Sequence, residues 1–353
     1  MSRRPSYTIP LVLSQPRGRV AIVFAGLILA IAGCTGGGAT ASPSEIPQSS
    51  PSTAAPTTAP IDSPTPAADF PVTLTDDEGT AVEIAEEPQR IVSLTPATTE
   101  ILFALGAGHR VVATTDFDDY PPEAVALPDV ASFTAVDVEA IVGLEADLVI
   151  AGGNFFNSPE AISRLRALDI PVVVVYAPDL DGVLRDIELI GTAVGLADVA
   201  LEMTDTMQAG FDDVGEATAA LQAPRTFYEL DATNAIYTAA DGSFVEQMIL
   251  LAGGDPITTG STTDFAISIE NLIAADPELI LLGDAAYGVT ADQVAARTGW
   301  SGMTAVKTGA IQPVNDLIVT RPGPRLVEGL RELALAIHPN LVLPPAAPIP
   351  AVR

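Results

Sequence analysis

The chain has 353 residues, a length that favours two domains over one. It carries 16 Lys and Arg against 45 Asp and Glu, a net charge of −29, and has no basic patch, which excludes a sequence-independent nucleic-acid binder. Two His and one Cys exclude a zinc ribbon, a Cys₂His₂ finger, a thiolate-held cluster and an internal disulfide framework.

Residues 1–33 read as a secretion signal. Arg3, Arg4, Arg17 and Arg19 form its basic region, and Val20 to Ile31 is an apolar run too short for a membrane span. The segment closes Ile31-Ala32-Gly33-Cys34, and Cys34 is the single Cys of the chain. This junction resembles the bacterial lipobox, in which the Cys is lipidated and becomes the mature N-terminus. The alternatives are an ordinary signal peptide with an incidental Cys and an uncleaved anchor helix. Removal of the four Arg leaves 12 basic against 45 acidic residues, a net charge of −33. Such a chain does not adhere electrostatically to anionic lipid, so a lipid anchor must hold it to the membrane. Residues 34–68 are rich in Pro, Ser, Thr and Ala, cannot bury enough apolar area to offset their ordering entropy, and read as a disordered tether.

Alternation around Asp76-Asp77-Glu78-Gly79 predicts a hairpin over 71–84. Strands are expected at 91–94, 111–114, 147–151 and 171–176, with helices at 100–105, 139–144 and 159–168 between them. A helical pattern runs over 180–194 and is broken by Gly195. A second, over 197–221, places Val199, Met203, Met207, Phe211 and Val214 at spacings of three and four, as packing residues of a long strut. Beyond it come strands at 225–230, 279–282 and 311–314 and helices at 243–251, 269–274 and 326–337. Alternating strands and helices predict parallel sheets covered on both faces.

The two halves echo each other. Residues 138–152 align without a gap onto 269–283, with Glu139 on Glu270 and Leu148 on Leu279. The expectation is an N-terminal α/β lobe over 69–178, connecting helices over 179–222 and a C-terminal α/β lobe over 223–341, with a ligand site in the cleft between lobes.

The run Arg90-Ile91-Val92-Ser93-Leu94-Thr95-Pro96-Ala97-Thr98-Thr99-Glu100-Ile101-Leu102 resembles the opening of the helical-backbone substrate-binding proteins of ABC importers. That family carries cobalamin, siderophores or haem to a membrane permease. Asp119-Tyr120-Pro121-Pro122, followed by Phe133 and Glu139, resembles its cobalamin-binding member, and Asp316 with Arg321-Pro322-Gly323-Pro324-Arg325 resembles its C-lobe cleft loop. The resemblance implies the class III periplasmic-binding-protein fold: two lobes with parallel β-sheets flanked by helices, joined by a long backbone α-helix. It implies that Tyr120 and Phe133 line one cleft wall, that Asp316 and Arg321 line the other, and that Tyr237 fills an aromatic position. Gly152 and Asp264 stand near positions where the cobalamin-binding member has Trp, and Phe155, Phe156 and Phe265 are the neighbouring replacements. Glu139 and Glu270 match the acidic pair that docks on permease Arg residues. The implied partners are an ABC permease dimer with its ATPase, and the implied state is a lipid-anchored, extracytoplasmic monomer that needs no cofactor.

Cobalamin is the first expectation for the ligand, because aromatic faces with a few polar groups suit a large, mostly uncharged ring. Ferric siderophores are the alternative; many are anionic, and Arg321 and Arg325 offer a local site for them. Haem needs an axial His or Tyr, and neither His109 nor His338 is well placed. A bare metal ion finds too few His. The chain lacks a nucleophile elbow, a phosphate loop and a dinucleotide fingerprint, so it reads as a binder and not as an enzyme.

Overall fold

The computed structural model describes residues 70–132, 135–153 and 156–349. The signal segment 1–33, Cys34 and the tether 34–68 lie outside them.

An antiparallel hairpin of β1 (Val72–Thr75) and β2 (Ala81–Ile84) opens the described chain, as the alternation predicts. The first sheet follows. It contains β3 (Ile91–Ser93), β4 (Val111–Thr115), β5 (Asp129–Ser132), β6 (Ala135–Val136), β7 (Leu148–Gly152) and β8 (Val172–Val175) in the order β6-β5-β4-β3-β7-β8. All its pairings are parallel except β5 with β6. Helices α1 (Pro96–Ala104), α2 (Val138–Gly143) and α3 (Pro159–Arg166) connect it. Then α4 (Leu180–Ala193) and α5 (Ala197–Thr218) lead to the second half. That half contains β9 (Arg225–Glu229), β10 (Ile236–Tyr237), α6 (Phe244–Leu251), β11 (Asp255–Pro256), β12 (Ala266–Ile267), α7 (Ile269–Ala275), β13 (Leu279–Leu282), α8 (Ala291–Ala295), α9 (Thr304–Thr308), β14 (Ile311–Pro313), α10 (Asp316–Val319) and α11 (Leu326–Ile337). Its sheet is parallel throughout, ordered β11-β9-β13-β14, and β10 pairs antiparallel with β12 beside it.

Both sheets are covered on both faces, and β8 (VVVV) and β13 (LILL) are accordingly unbroken apolar runs. Successive residues point to opposite cores. Val173 and Val175 face one core and Val172 and Val174 another. In the second sheet Leu279 and Leu281 face the first of these cores, and Ile280 and Leu282 face a third. The shared core runs through Met203, Met207, Phe211 and Val214 of α5 and joins the inner faces of both sheets. The 22 residues of α5 span about 33 Å. This helix ends three residues short of the sequence expectation, because the Leu221 N–H turns back onto the Thr218 carbonyl to lead the chain into β9. Gly191 of α4 is needed for the approach to α5, since a Cβ there would lie 2.3 Å from the Ala200 methyl group.

The internal repeat extends to backbone detail. Asp137 caps the N-terminus of α2 and Ser268 that of α7, each through its side chain. Glu145 and Asp276, equivalent in the repeat, both adopt left-handed backbone, with φ of 52° and 46°. Arg90 Nε donates to the Leu144 carbonyl, and Arg225 Nε to the equivalent Ala275 carbonyl. Each Arg thereby satisfies the carbonyl end of its helix just before the parallel strand begins. No helix among the described residues is long and apolar enough to cross a membrane.

Candidate functional site

The C-terminal ends of β3, β4, β7 and β8 open on one side of the first sheet, where the loops of a parallel α/β sheet gather ligand contacts. Those loops supply Thr95–Thr98, Phe117, Phe156 and Tyr176–Pro178 to a cleft of about 550 Å³. The second half supplies Leu230, Ser243–Val245, Phe265 and Thr320–Pro322. The lining is mostly apolar, with aromatic rings from both lobes.

One ion-pair network crosses from lobe to lobe beside the cleft. Glu100 of α1 has only 3 % of its side chain exposed. Arg325 donates to it through Nε at 2.7 Å and through Nη2, and Arg321 through Nη1 at 3.1 Å. Arg321 also donates to both carboxylate oxygens of Asp119. Burial alone would lower both guanidinium pKa values; Asp119 and Glu100 outweigh it at Arg321, as Glu100 does at Arg325, and hold both above the ordinary value. The Arg325 guanidinium lies 4.3 Å over the Tyr120 ring, a cation–π contact. A second tie between the halves runs from the Leu180 N–H to Gln247 Oε1, at 2.9 Å.

Of the residues singled out from the sequence, Phe156, Phe265 and Arg321 line the cleft. Tyr120 does not; it stands over Arg325 with 44 % of its surface exposed. Tyr237 pairs with Ala266 on the β10–β12 ribbon and is likewise outside the lining. Asp316 is turned into its own lobe, where it accepts from the Tyr228 hydroxyl at 2.9 Å and the Thr320 hydroxyl at 3.0 Å. Burial raises its pKa, and these two hydrogen bonds, with the Arg321 charge, offset only part of the rise. Of the residues expected on the cleft walls, Tyr120 packs on the ion network, Tyr237 lies on the β10–β12 ribbon and Asp316 is bonded by Tyr228. Phe133 and Phe155 lie outside the described residues. Arg321 and Arg325, expected to offer an anion site, are instead engaged by Glu100 and Asp119.

Glu139 and Glu270 occupy the second positions of α2 and α7, one on each lobe, and both are exposed. Glu139 has 86 % of its side chain exposed and meets Arg164 at 3.5 Å. It borders an open groove of about 670 Å³ in which Asp116, Asp129 and Asp137 outnumber the single basic residue, Arg164. His109 bonds the Gly106 carbonyl and His338 the Gly253 carbonyl, both away from the cleft.

Sequence reasoning missed Glu100, Phe117, Tyr176, Phe244 and Asp186. Glu100 had one signal, an acid opening an otherwise apolar helix run; Asp186 had none, since it stands between the charged Arg185 and Glu188.

Residues 91–312 match the family described as periplasmic binding protein. An uncharacterized ABC transporter substrate-binding lipoprotein of Bacillus subtilis is 34% identical over 77% of this chain and 87% of its own length. A cobalamin-binding protein of Halobacterium salinarum is 32% identical over 77% of this chain and 75% of its own length. Among solved structures, the periplasmic vitamin B12 binding protein of Vibrio cholerae superposes with a TM-score of 0.62 at 27% identity, covering 71% of this chain and 97% of that one. A periplasmic heme-binding protein from Roseiflexus superposes with a TM-score of 0.63 at 27% identity, covering 71% and 98%.

Proposed function

The chain belongs to the periplasmic binding protein family of ABC importers, and on that premise we propose that it captures a corrinoid, cobalamin, in the inter-lobe cleft and delivers it to a permease. The family is one of substrate-binding transport proteins and not of enzymes. The observation that carries the ligand reading is the state of the two arginines. Arg321 and Arg325 are neutralised by Glu100 and Asp119. What faces the ligand is then a set of apolar walls and aromatic rings, which suits a large ring with little net charge. An anionic ferric siderophore would need a guanidinium that is not already spent. The cobalamin-binding relatives support the same choice.

Haem is the second reading. Tyr176 in the cleft lining is a residue type that ligates haem iron, and solved heme-binding proteins share the fold. The haem carboxylates, however, would meet the same neutralised arginines.

Cys34 carries the lipid that keeps the chain outside the cytoplasmic membrane, as the lipobox-like junction and the lipoprotein relative support. Glu139 and Glu270 dock on basic residues of the permease dimer, where complementary charge sets register and on-rate. The test is uptake of labelled cyanocobalamin by cells with and without the chain. Loss of uptake on deletion, restored by the wild type, is expected. Uptake that continues unchanged without the chain overturns the reading.

A further inference from the structure

Most polar side chains of the cleft lining are spent within the protein. The Thr98 hydroxyl donates to the Thr95 carbonyl, the Ser243 hydroxyl to the Ala240 carbonyl and the Thr320 hydroxyl to Asp316. Arg321 is held by two carboxylates. Asp186, on the cleft side of α4, is the one carboxyl group among the described lining residues and is only 5 % exposed. Its partner is Asp77, in the turn between β1 and β2. Asp77 is itself fixed: its Oδ2 accepts from the Tyr176 N–H, and its own N–H donates to the Val174 carbonyl.

We propose that Asp186 is a specificity-determining contact of the cleft, presenting its carboxyl group to an amide or hydroxyl edge of the ligand while Asp77 positions it. The inference rests on the cleft being the ligand site, as proposed above. A carboxyl group held out of water beside a second carboxyl group is pushed towards its neutral form. Burial, then the hydrogen bond and charge of Asp77, push the Asp186 carboxyl up to about 9, against a small opposing pull from Arg185 and a further push from Asp179 at the start of the same helix. At neutral pH Asp186 is thus an uncharged acid. Its carbonyl oxygen has lone pairs to accept from a ligand N–H or O–H. A neutral acceptor in an apolar wall rewards a ligand with amide edges and penalises one that brings a carboxylate to the same place, because two acceptors would then face each other undonated. Asp77 touches no ligand and is a positioning residue.

The experiment compares the wild type with Asp186→Asn and Asp186→Leu, using cyanocobalamin as the probe, with haemin and a ferric siderophore alongside. Asp186→Asn keeps an acceptor and is expected to bind within about threefold of the wild type. Asp186→Leu is expected to weaken binding about tenfold or more, the scale of one unmade buried hydrogen bond. Infrared spectroscopy gives a readout that packing alone would not move, and it does not depend on the Leu variant folding. The carbonyl band of a protonated carboxylic acid, absent in Asp186→Asn, is expected to shift when cyanocobalamin is added to the wild type. A band that stays fixed on ligand addition, or wild-type affinity in a folded Asp186→Leu, overturns the assignment. A wild type that binds haemin or the siderophore and not cyanocobalamin overturns the corrinoid reading instead, and the same variants and band are then read with the probe that binds. A wild type that binds none of the three overturns both.

Discussion

Arg325 and Glu100, 225 positions apart in the chain, close a buried charge-assisted pair across the two lobes, with the Arg325 guanidinium bound to both carboxylate oxygens. Arg321 adds a third member and fastens it to Asp119. Removing one partner of a buried pair leaves the other charge uncompensated, which costs about 3–5 kcal/mol. Glu100→Gln keeps the shape and is expected to lower unfolding free energy by about 3 kcal/mol, the low end, since Arg321 retains Asp119. Urea denaturation measures it. The same variant leaves a net positive charge beside the cleft and is expected to bind an anionic ferric siderophore more tightly than the wild type does. Unchanged stability and unchanged siderophore binding would contradict the role given to Glu100.

That network also marks where sequence reading stops. The parallel strands were legible because burial on both faces leaves a run such as Val172–Val175 with no polar alternation. The repeat was legible because equivalent helix–strand units impose equivalent caps and turns, down to the left-handed Glu145 and Asp276. Two-residue strands such as Ala135–Val136 and Ala266–Ile267 carry no period and could not be read. The role of Glu100 in α1 could not be read, because its partners lie 221 and 225 residues away. Asp316 and Tyr237 were placed by family resemblance, and the Tyr228 hydroxyl that bonds Asp316 carries no local signal in the sequence.

The docking reading separates binding from transport. Glu139→Arg with Glu270→Arg reverses both exposed helix-start acids without touching the cleft. Cells carrying the double variant are expected to lose cyanocobalamin uptake, while the purified variant keeps wild-type ligand affinity. Normal uptake would remove these two residues from the docking surface.

The second lobe has a buried pair of acids of its own, Glu229 and Asp284. Glu229 is fully buried and receives Arg297 on both carboxylate oxygens, while the Arg297 guanidinium lies 4.7 Å over Trp300. Beside it, burial and then Glu229 push the Asp284 carboxyl up to about 7, with Arg297 pulling it down. Between its ordinary value of 3.8 and about 7, the folded chain holds a proton that the unfolded chain has released. Stability from this site is therefore full below the ordinary value and is lost as pH rises through about 7. From about pH 5 to about pH 8 the wild-type urea midpoint is expected to fall relative to that of Asp284→Asn. Parallel profiles would contradict the raised Asp284 carboxyl.

The long helix α5 is a packing element. Phe211 is 2 % exposed and sits in the core that joins both sheets. Phe211→Ala is expected to cost about 3–5 kcal/mol in chemical denaturation. Cyanocobalamin affinity at low temperature, where the variant is folded, is expected to stay at the wild-type value. A stable variant with weakened binding would instead make Phe211 part of the ligand site.

The central claim is that the cleft takes a large ring of little net charge, and titration calorimetry of the purified protein tests it most directly. Cyanocobalamin, a ferric siderophore panel and haemin are titrated under identical conditions. Saturable one-to-one binding of cyanocobalamin alone is the predicted result. Tight binding of an anionic siderophore or haemin with no heat from cyanocobalamin would contradict it, and would mean that Arg321 and Arg325 leave Glu100 to meet the ligand.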